Sequence, residues 1–292
     1  MKTILVTGGS GQVGTELQRL SWPAGFEVSA PGRREMDLSD PGRVAAMVQS
    51  RRFAAVINAG AFTAVDLCES EVAQAWQVNA VAPAVLARAT ALAGIPLVHV
   101  STDYVFDGSK ATPYAETDPV GPLCVYGASK LGGELAVRTA NPRHAIVRTA
   151  WVLSAHGNNF VKTMLRVGRD RPLLRVVDDQ RGCPTSAADL AAALAKIALA
   201  MVADADAPAG TFQFVNSGAC TWHGLAAEIF AQAAKRGGPS PQLQAITTAE
   251  YPLPARRPAN SQLATGRLGR EYGIFPRPWQ PALADILAEL LK

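Results

Sequence analysis

The sequence has no CxxC pair: its four cysteines, Cys68, Cys124, Cys183 and Cys220, lie far apart in 292 residues. That spacing fits neither a disulfide framework nor a zinc site. Long apolar runs are missing too, because the Ala-rich stretch around 187–207 is cut by Asp189, Lys196 and Asp204. A membrane span would need roughly 18 uninterrupted residues, so no membrane association is expected. The opening Met1-Lys2-Thr3-Ile4-Leu5-Val6-Thr7 is too short for a signal-peptide core and lacks a small-residue cleavage site, which makes cytoplasm the expected location. Charge of one sign is scarce as well. The 28 basic and 24 acidic residues leave a net +4, with only Arg33-Arg34, Arg51-Arg52 and Arg256-Arg257 as basic pairs. A nucleic-acid surface would show a basic stripe with interleaved aromatics. The expectation is no nucleic-acid partner, and a small anionic ligand met by a few arginines.

What is present is the profile of a globular chain, 48% hydrophobic, long enough for one large domain or two lobes at roughly 150 residues each. Strands are expected at 3–7, 26–30, 54–59, 96–101 and 145–149, and helices near 12–20, 41–50, 70–93 and 127–140. Strands apolar throughout and separated by crossover helices indicate a parallel sheet covered on both faces. The fold class is therefore α/β, a Rossmann-type doubly wound sheet. From about 155 the pattern loosens into polar loops, an Ala-rich helix at 187–203, a Pro-rich segment at 251–260 and a final helix at 280–291. The expected division is a cofactor half over 1–150, able to regain later segments, and a smaller α/β lobe over 151–292. That lobe should pack over the C-terminal strand ends, where open sheets bind ligands.

The first strand runs into Thr7-Gly8-Gly9-Ser10-Gly11-Gln12-Val13-Gly14 and then a helix. Glycines at 8, 11 and 14 permit a tight turn, close approach to a pyrophosphate and close helix-to-strand packing. A merely flexible turn is the bland alternative, disfavoured by the strand before and the helix after. The GxxGxxG spacing points to the short-chain dehydrogenase/reductase class, and Tyr126 and Lys130 supply its YxxxK pair on one helix face. A phenol of ordinary pKa about 10 must exchange a proton near pH 7, and an ammonium one turn away stabilises the phenolate. Ser101-Thr102-Asp103-Tyr104 follows the fourth strand. Of the two hydroxyls, which alternate in direction, Thr102 is the one expected to polarise a carbonyl. Asp103 either contacts a sugar, steers proton supply or caps a turn.

Taken together, TGGSGQVG at 7–14, NAGAFTAVDLCESE at 58–71, STDYVFDG at 101–108, VYGASKLGGE at 125–134, DDQRGCPT at 178–185 and YPLPARRPANSQL at 251–263 carry a resemblance. The chain resembles, over essentially its whole length, the dTDP-4-dehydrorhamnose reductases, an atypical extended branch of that class. The late stretches are the most specific, because the glycine loop and YxxxK are shared more widely.

The resemblance implies reduction of the C4 keto group of dTDP-4-dehydro-β-L-rhamnose to dTDP-L-rhamnose, the final step of dTDP-rhamnose synthesis and a supply of cell-surface polysaccharide precursor. It implies a catalytic trio of Thr102, Tyr126 and Lys130, and a cofactor set of Gly8, Gly11, Gln12, Val13, Gly14, Arg33, Asp37, Leu38, Ala61, Phe62, Thr63, Val100, Tyr126 and Lys130. Thr102, Asp103, Trp151, Asn158, Asn159, Arg256, Arg257 and Asn260 are the substrate candidates. After the second strand comes Ser29-Ala30-Pro31-Gly32-Arg33-Arg34 in place of the acid that an NAD-selective site uses. The cofactor expectation is therefore NADPH, with NADH as the second option. Relatives that bind Mg²⁺ through carboxylates suggest Glu16 and Glu289, without a matching third, since Ala188 precedes Asp189. A homodimer is left open. Two alternatives share the fold: a nucleotide-sugar epimerase or dehydratase, and a non-catalytic regulatory subunit of the methionine adenosyltransferase type.

Overall fold

The computed structural model describes residues 1–291. Strands β1 (Lys2–Thr7), β2 (Phe26–Ser29), β3 (Phe53–Asn58), β4 (Leu97–Thr102) and β5 (His144–Thr149) form the sheet expected from the sequence. The first connections carry α1 (Gln12–Arg19) and α2 (Pro41–Gln49). Pro41 opens α2 behind Asp40, whose carboxylate accepts the Arg43 N–H at 3.1 Å, a Ser/Asp-type cap that answers one orphan donor.

Between β3 and β4 a short helix, α3 (Val65–Cys68), comes first, and the helix expected near 70–93 is broken into α4 (Val72–Trp76), a π turn (Gln77–Val81) and α5 (Ala82–Leu92). Pro83 sits in the first turn of α5 and cannot donate to the carbonyl of Asn79, so the helix widens there. The freed carbonyl faces α6 (Val125–Ala140), where a Cβ on Gly133 would stand 2.2 Å from it. Only glycine admits α6 this close.

Later come β6 (Val152–Leu153), α7 (Phe160–Asp170), β7 (Leu173–Val177), β8 (Arg181–Gly182), β9 (Thr185–Ser186), α8 (Ala187–Ala203), β10 (Gly210–Gln213) and β11 (Cys220–Thr221). The chain closes with α9 (Trp222–Ala234), β12 (Gln242–Ile246), β13 (Asn260–Ser261), α10 (Gly266–Tyr272) and α11 (Trp279–Leu290). The main sheet has the order β2-β1-β3-β4-β5-β10, all parallel. The order reverses between β1 and β3, which places a ligand crevice outside their C-terminal ends.

Segments after residue 150 join this sheet. β10 pairs with β5, and α8 and α10 pack Leu190, Leu194, Ile197 and Leu268 into the core around Ile4, Val6 and Ile57. A second core of α7, α9, α11 and β7, including Leu165, Leu225, Phe230 and Leu283, underlies the rest of the late chain. Residues 151–291 thus supply both the sixth strand of the main sheet and a separate packed layer. No helix among the described residues is long and apolar enough to cross a membrane.

Candidate active site

A cleft of about 730 Å³ opens at the C-terminal edge of β1, β3, β4 and β5. At one end lies the glycine loop. Gly8 takes φ +69°, and a Cβ on Gly14 would stand 2.1 Å from the Gly8 carbonyl oxygen, so α1 can meet β1 only with glycine at 14. Gly11 caps α1 with no side-chain hydrogen bond, which leaves its first N–H groups and positive dipole end for an anion. Gly11, Gln12 and Val13 border the cleft there.

Farther along, Arg33, Asp37 and Leu38 line the same cleft. The Ser39 N–H and hydroxyl, at 2.9 and 2.8 Å, hold the Asp37 carboxyl below its usual range. The Arg33 side chain is 76% exposed and 3.9 Å from Asp37, free to turn toward a ligand. Ala61 and Thr63 also border the cleft, whereas Phe62 does not. Its backbone is gripped on both sides by Asn79, which accepts the Phe62 N–H at 2.8 Å and donates to its carbonyl at 3.0 Å. Asn79 is buried in the π turn and also donates to Ser129 on α6 at 3.1 Å. The sequence reading missed it; Pro83 downstream in a helical run was the available signal.

At the centre Thr102 ends β4. Its hydroxyl donates to Asp103 Oδ1 at 2.9 Å and accepts the Tyr104 N–H at 3.2 Å. Ser101, one residue before the end of β4, borders the cleft too. Burial pushes the Asp103 carboxyl up to about 6, against the hydroxyls of Ser261 and Thr102. Lys130, buried on α6, donates to the Val100 carbonyl at 2.7 Å. Burial pushes its ammonium down to about 8, opposed by the Glu134 carboxylate, which Arg148 holds at 2.8 and 2.7 Å. Tyr126 lies edge-on to Tyr104, with ring centroids 5.4 Å apart. Burial holds the Tyr126 phenol above its ordinary value, with the Thr102 hydroxyl opposing. The lowering expected from Lys130 is not found: desolvation sets the direction, and the opposing interaction comes from Thr102.

The far wall is aromatic. Trp151 stacks on Trp222 at 3.5 Å between centroids and 11° between planes, with Phe160 4.7 Å from Trp222. Trp222 also borders the cleft and was not foreseen, since an aromatic at the start of a late helix carries no signal by itself. Asn158 lines the cleft, exposed. Asn159 caps α7 and donates to Gln12 Oε1 at 2.9 Å and the Ser154 carbonyl at 2.8 Å. It knots the 154–159 loop to the glycine loop.

Three expected substrate residues lie outside the cleft lining. Arg256 is exposed on the Pro-rich strap. Arg257 is engaged by Asp66 at 2.6 and 2.8 Å. Asn260 spends its amide on the carbonyls of Lys110 and Thr112, at 2.6 and 3.0 Å, and its oxygen on Gln262. Nor do Glu16 and Glu289 fit a Mg²⁺ site. Arg19 stands 2.8 Å from Glu289 and 3.8 Å from Glu16, and His156 stands 3.0 Å from Glu16. The expected cation is replaced by side chains of the protein itself, and no cluster of three metal-ligating groups occurs among the described residues.

The family model described as RmlD substrate binding domain matches residues 1–292. The dTDP-4-dehydrorhamnose reductase of Sinorhizobium fredii is 42% identical over 289 residues, covering 99% of this chain and 97% of its own. The structure of the Clostridium acetobutylicum dTDP-4-dehydrorhamnose reductase superposes with a TM-score of 0.92 at 37% identity, over 99% of this chain and 100% of that one. That of the Bacillus anthracis enzyme, in complex with NADP, gives 0.91 at 34%, again over 99% and 100%. With its glycine loop, its Thr102, Tyr126 and Lys130 edge and its full-length match to these relatives, the chain belongs to the dTDP-4-dehydrorhamnose reductase family.

Proposed function

We propose that this protein reduces the C4 keto group of dTDP-4-dehydro-β-L-rhamnose to dTDP-L-rhamnose, completing dTDP-rhamnose synthesis, with NADPH as the preferred reductant. The single observation that carries the reading is the meeting of Thr102, Tyr126 and Lys130 at one end of a cleft whose other end is the glycine loop. The residues suit a dinucleotide: Gly14 keeps α1 against β1, and the α1 N-terminus lacks a side-chain cap. Gly11, Gln12 and Val13 would hold its pyrophosphate, Asp37 and Leu38 its adenine end, and Ala61, Thr63 and Val100 its nicotinamide half. NADPH, when bound, supplies the hydride.

The chain supplies position and the proton. Thr102, whose hydroxyl proton rests on Asp103 Oδ1, turns that proton to the C4 oxygen when the ketone binds and orients it. Tyr126, its phenol held above the ordinary value by burial, is protonated at neutral pH, the state an acid needs when a ketone becomes an alcohol. Lys130, fixed on the Val100 carbonyl, binds the nicotinamide ribose and places its charge beside the forming phenolate. Asp103 and Asn158 meet the sugar, and Trp151 presents an apolar face to a deoxyhexose. The 1–150 interval carries the cofactor and the 151–292 interval most of the sugar-nucleotide wall. A cytoplasmic site of action agrees with four free thiols.

The test supplies dTDP-4-dehydro-L-rhamnose and NADPH and follows loss of the reduced cofactor's absorbance. Stoichiometric oxidation with dTDP-L-rhamnose as product is expected, and Tyr126→Phe should be slower by about 10²- to 10⁴-fold. An epimerase would return its hydride and a regulatory subunit would not turn over, so absence of net oxidation overturns the proposal.

A further inference from the structure

The aromatic wall has an internal support that no expected site residue explains. We infer that Trp222 is a positioning residue for the sugar half of the substrate, holding Trp151 against Gly182 and thereby fixing the apolar wall of the cleft; this rests on the proposed reductase reading. Trp151 is, among the described residues, the one non-glycine with positive φ, at 46°. Such a backbone is unfavourable for an L side chain, so the surroundings must hold it there. They do so from both sides. One face of the indole lies on Trp222, 3.5 Å between centroids. On another side is Gly182, where a Cβ would stand 2.4 Å from Trp151 Cε2 and 2.7 Å from its Nε1.

Trp222 is itself fixed. It is the first residue of α9, behind Thr221, whose hydroxyl accepts the Gly224 N–H at 3.0 Å. Its indole N–H donates to Gln180 Oε1 at 3.1 Å, and the Gln180 amide donates to Thr248 at 3.0 Å. The stretch Asp178-Asp179-Gln180-Arg181-Gly182 thus serves both indoles: Gln180 holds one and Gly182 makes room for the other. Because the Trp222 N–H is spent on Gln180, that indole offers the cleft an apolar surface, suited to a deoxy sugar.

The test separates this support from general stability and from the reductase reading. Two parallel indoles at this spacing couple in near-ultraviolet circular dichroism, and Trp222→Ala should abolish that couplet. The same variant should raise KM for the keto sugar nucleotide and Kd for dTDP-L-rhamnose by about tenfold, the scale of one aromatic contact. kcat and the Kd of NADPH should stay within about threefold. Trp222→Phe should lose the couplet yet recover most of the affinity. Gly182→Ala, which keeps both indoles, should show the same affinity loss and serves where Trp222→Ala does not fold. Unchanged sugar-nucleotide affinity in Trp222→Ala or Gly182→Ala, or an equal loss for NADPH, overturns the inference. A wild type that binds dTDP-L-rhamnose but oxidises no NADPH overturns the reductase reading instead, and the calorimetric Kd still tests the wall.

Discussion

Arg257 grips Asp66 with both terminal nitrogens, at 2.6 and 2.8 Å, across 191 residues of sequence. The Arg257 hydrogen bond, against some desolvation, holds the Asp66 carboxyl below its usual range, and the Ala255 N–H adds a third bond at 3.1 Å. The pair ties the 251–260 strap to α3, which directly follows the 61–63 segment bordering the cleft. Arg257 is therefore a strap anchor. Asp66→Asn and Arg257→Ala should each raise KM for the sugar nucleotide more than they lower kcat, and the double variant should be no worse than Arg257→Ala. The stability cost is on the order of 1 kcal/mol, kept small because the Asp66 side chain is 38% exposed and screened. If the guanidinium served the diphosphate directly, freeing it by Asp66→Asn would leave KM equal or lower.

The proposed preference for NADPH is assigned to Arg33. Its side chain is the exposed cation beside the cleft wall at Asp37 and Leu38, in the place where an acid would hold a ribose hydroxyl. Arg33→Glu should weaken NADPH by about tenfold relative to NADH, the difference of one phosphate contact. Titrations of both cofactors against the variant measure this, and equal losses for the two would remove the assignment.

Metal removal should leave turnover unchanged. The carboxylates of Glu16 and Glu289 already face Arg19 and His156, and a divalent ion would meet those cations first. Dialysis against a chelator followed by the NADPH oxidation assay is the measurement. A loss of activity restored by Mg²⁺, but not by raised ionic strength, would contradict it.

The sequence patterns that proved legible were those set by local physics. Apolar strands, the Gly8 to Gly14 turn and the Tyr126 to Lys130 helix spacing each follow from short-range sterics. What escaped was decided by pairs distant in sequence. Arg257 reads as a free phosphate ligand until Asp66 is seen beside it, and Asn260 reads as a ligand until the carbonyls of Lys110 and Thr112 are found to use its amide. The short strand β10 was missed because Gly210–Gln213 has a single apolar side chain, Phe212, and pairs only with β5. The Trp222 stack shares that origin, whereas the break at Pro83 is local and its signal, a proline within a helical run, stands in the sequence.

Asp103 offers a test in which stability and function oppose each other. The residue is 3% exposed, with Oδ1 accepting from Thr102. Burial raises its pKa from 3.8 to about 6. Below 3.8 both folded and unfolded chains hold the proton, and the group makes no difference. As pH rises from there to about 6, the unfolded chain releases the proton first, so the folded state loses stability across that interval and the cost is constant above it. Asp103→Asn keeps an acceptor for Thr102 and removes the buried charge. The variant should be more stable than wild type at pH 7 by on the order of 2–3 kcal/mol, with the gain shrinking to zero near pH 4. His99 and His144, both held below their ordinary values by burial, destabilise wild type and variant alike under acid and cancel in the difference. Urea midpoints of the two proteins from pH 4 to 7 measure it, and a pH-independent difference would dismiss the buried carboxylate as its source. The same variant should turn over more slowly, because a charge kept at such a cost beside the Thr102 hydroxyl is retained for the reaction.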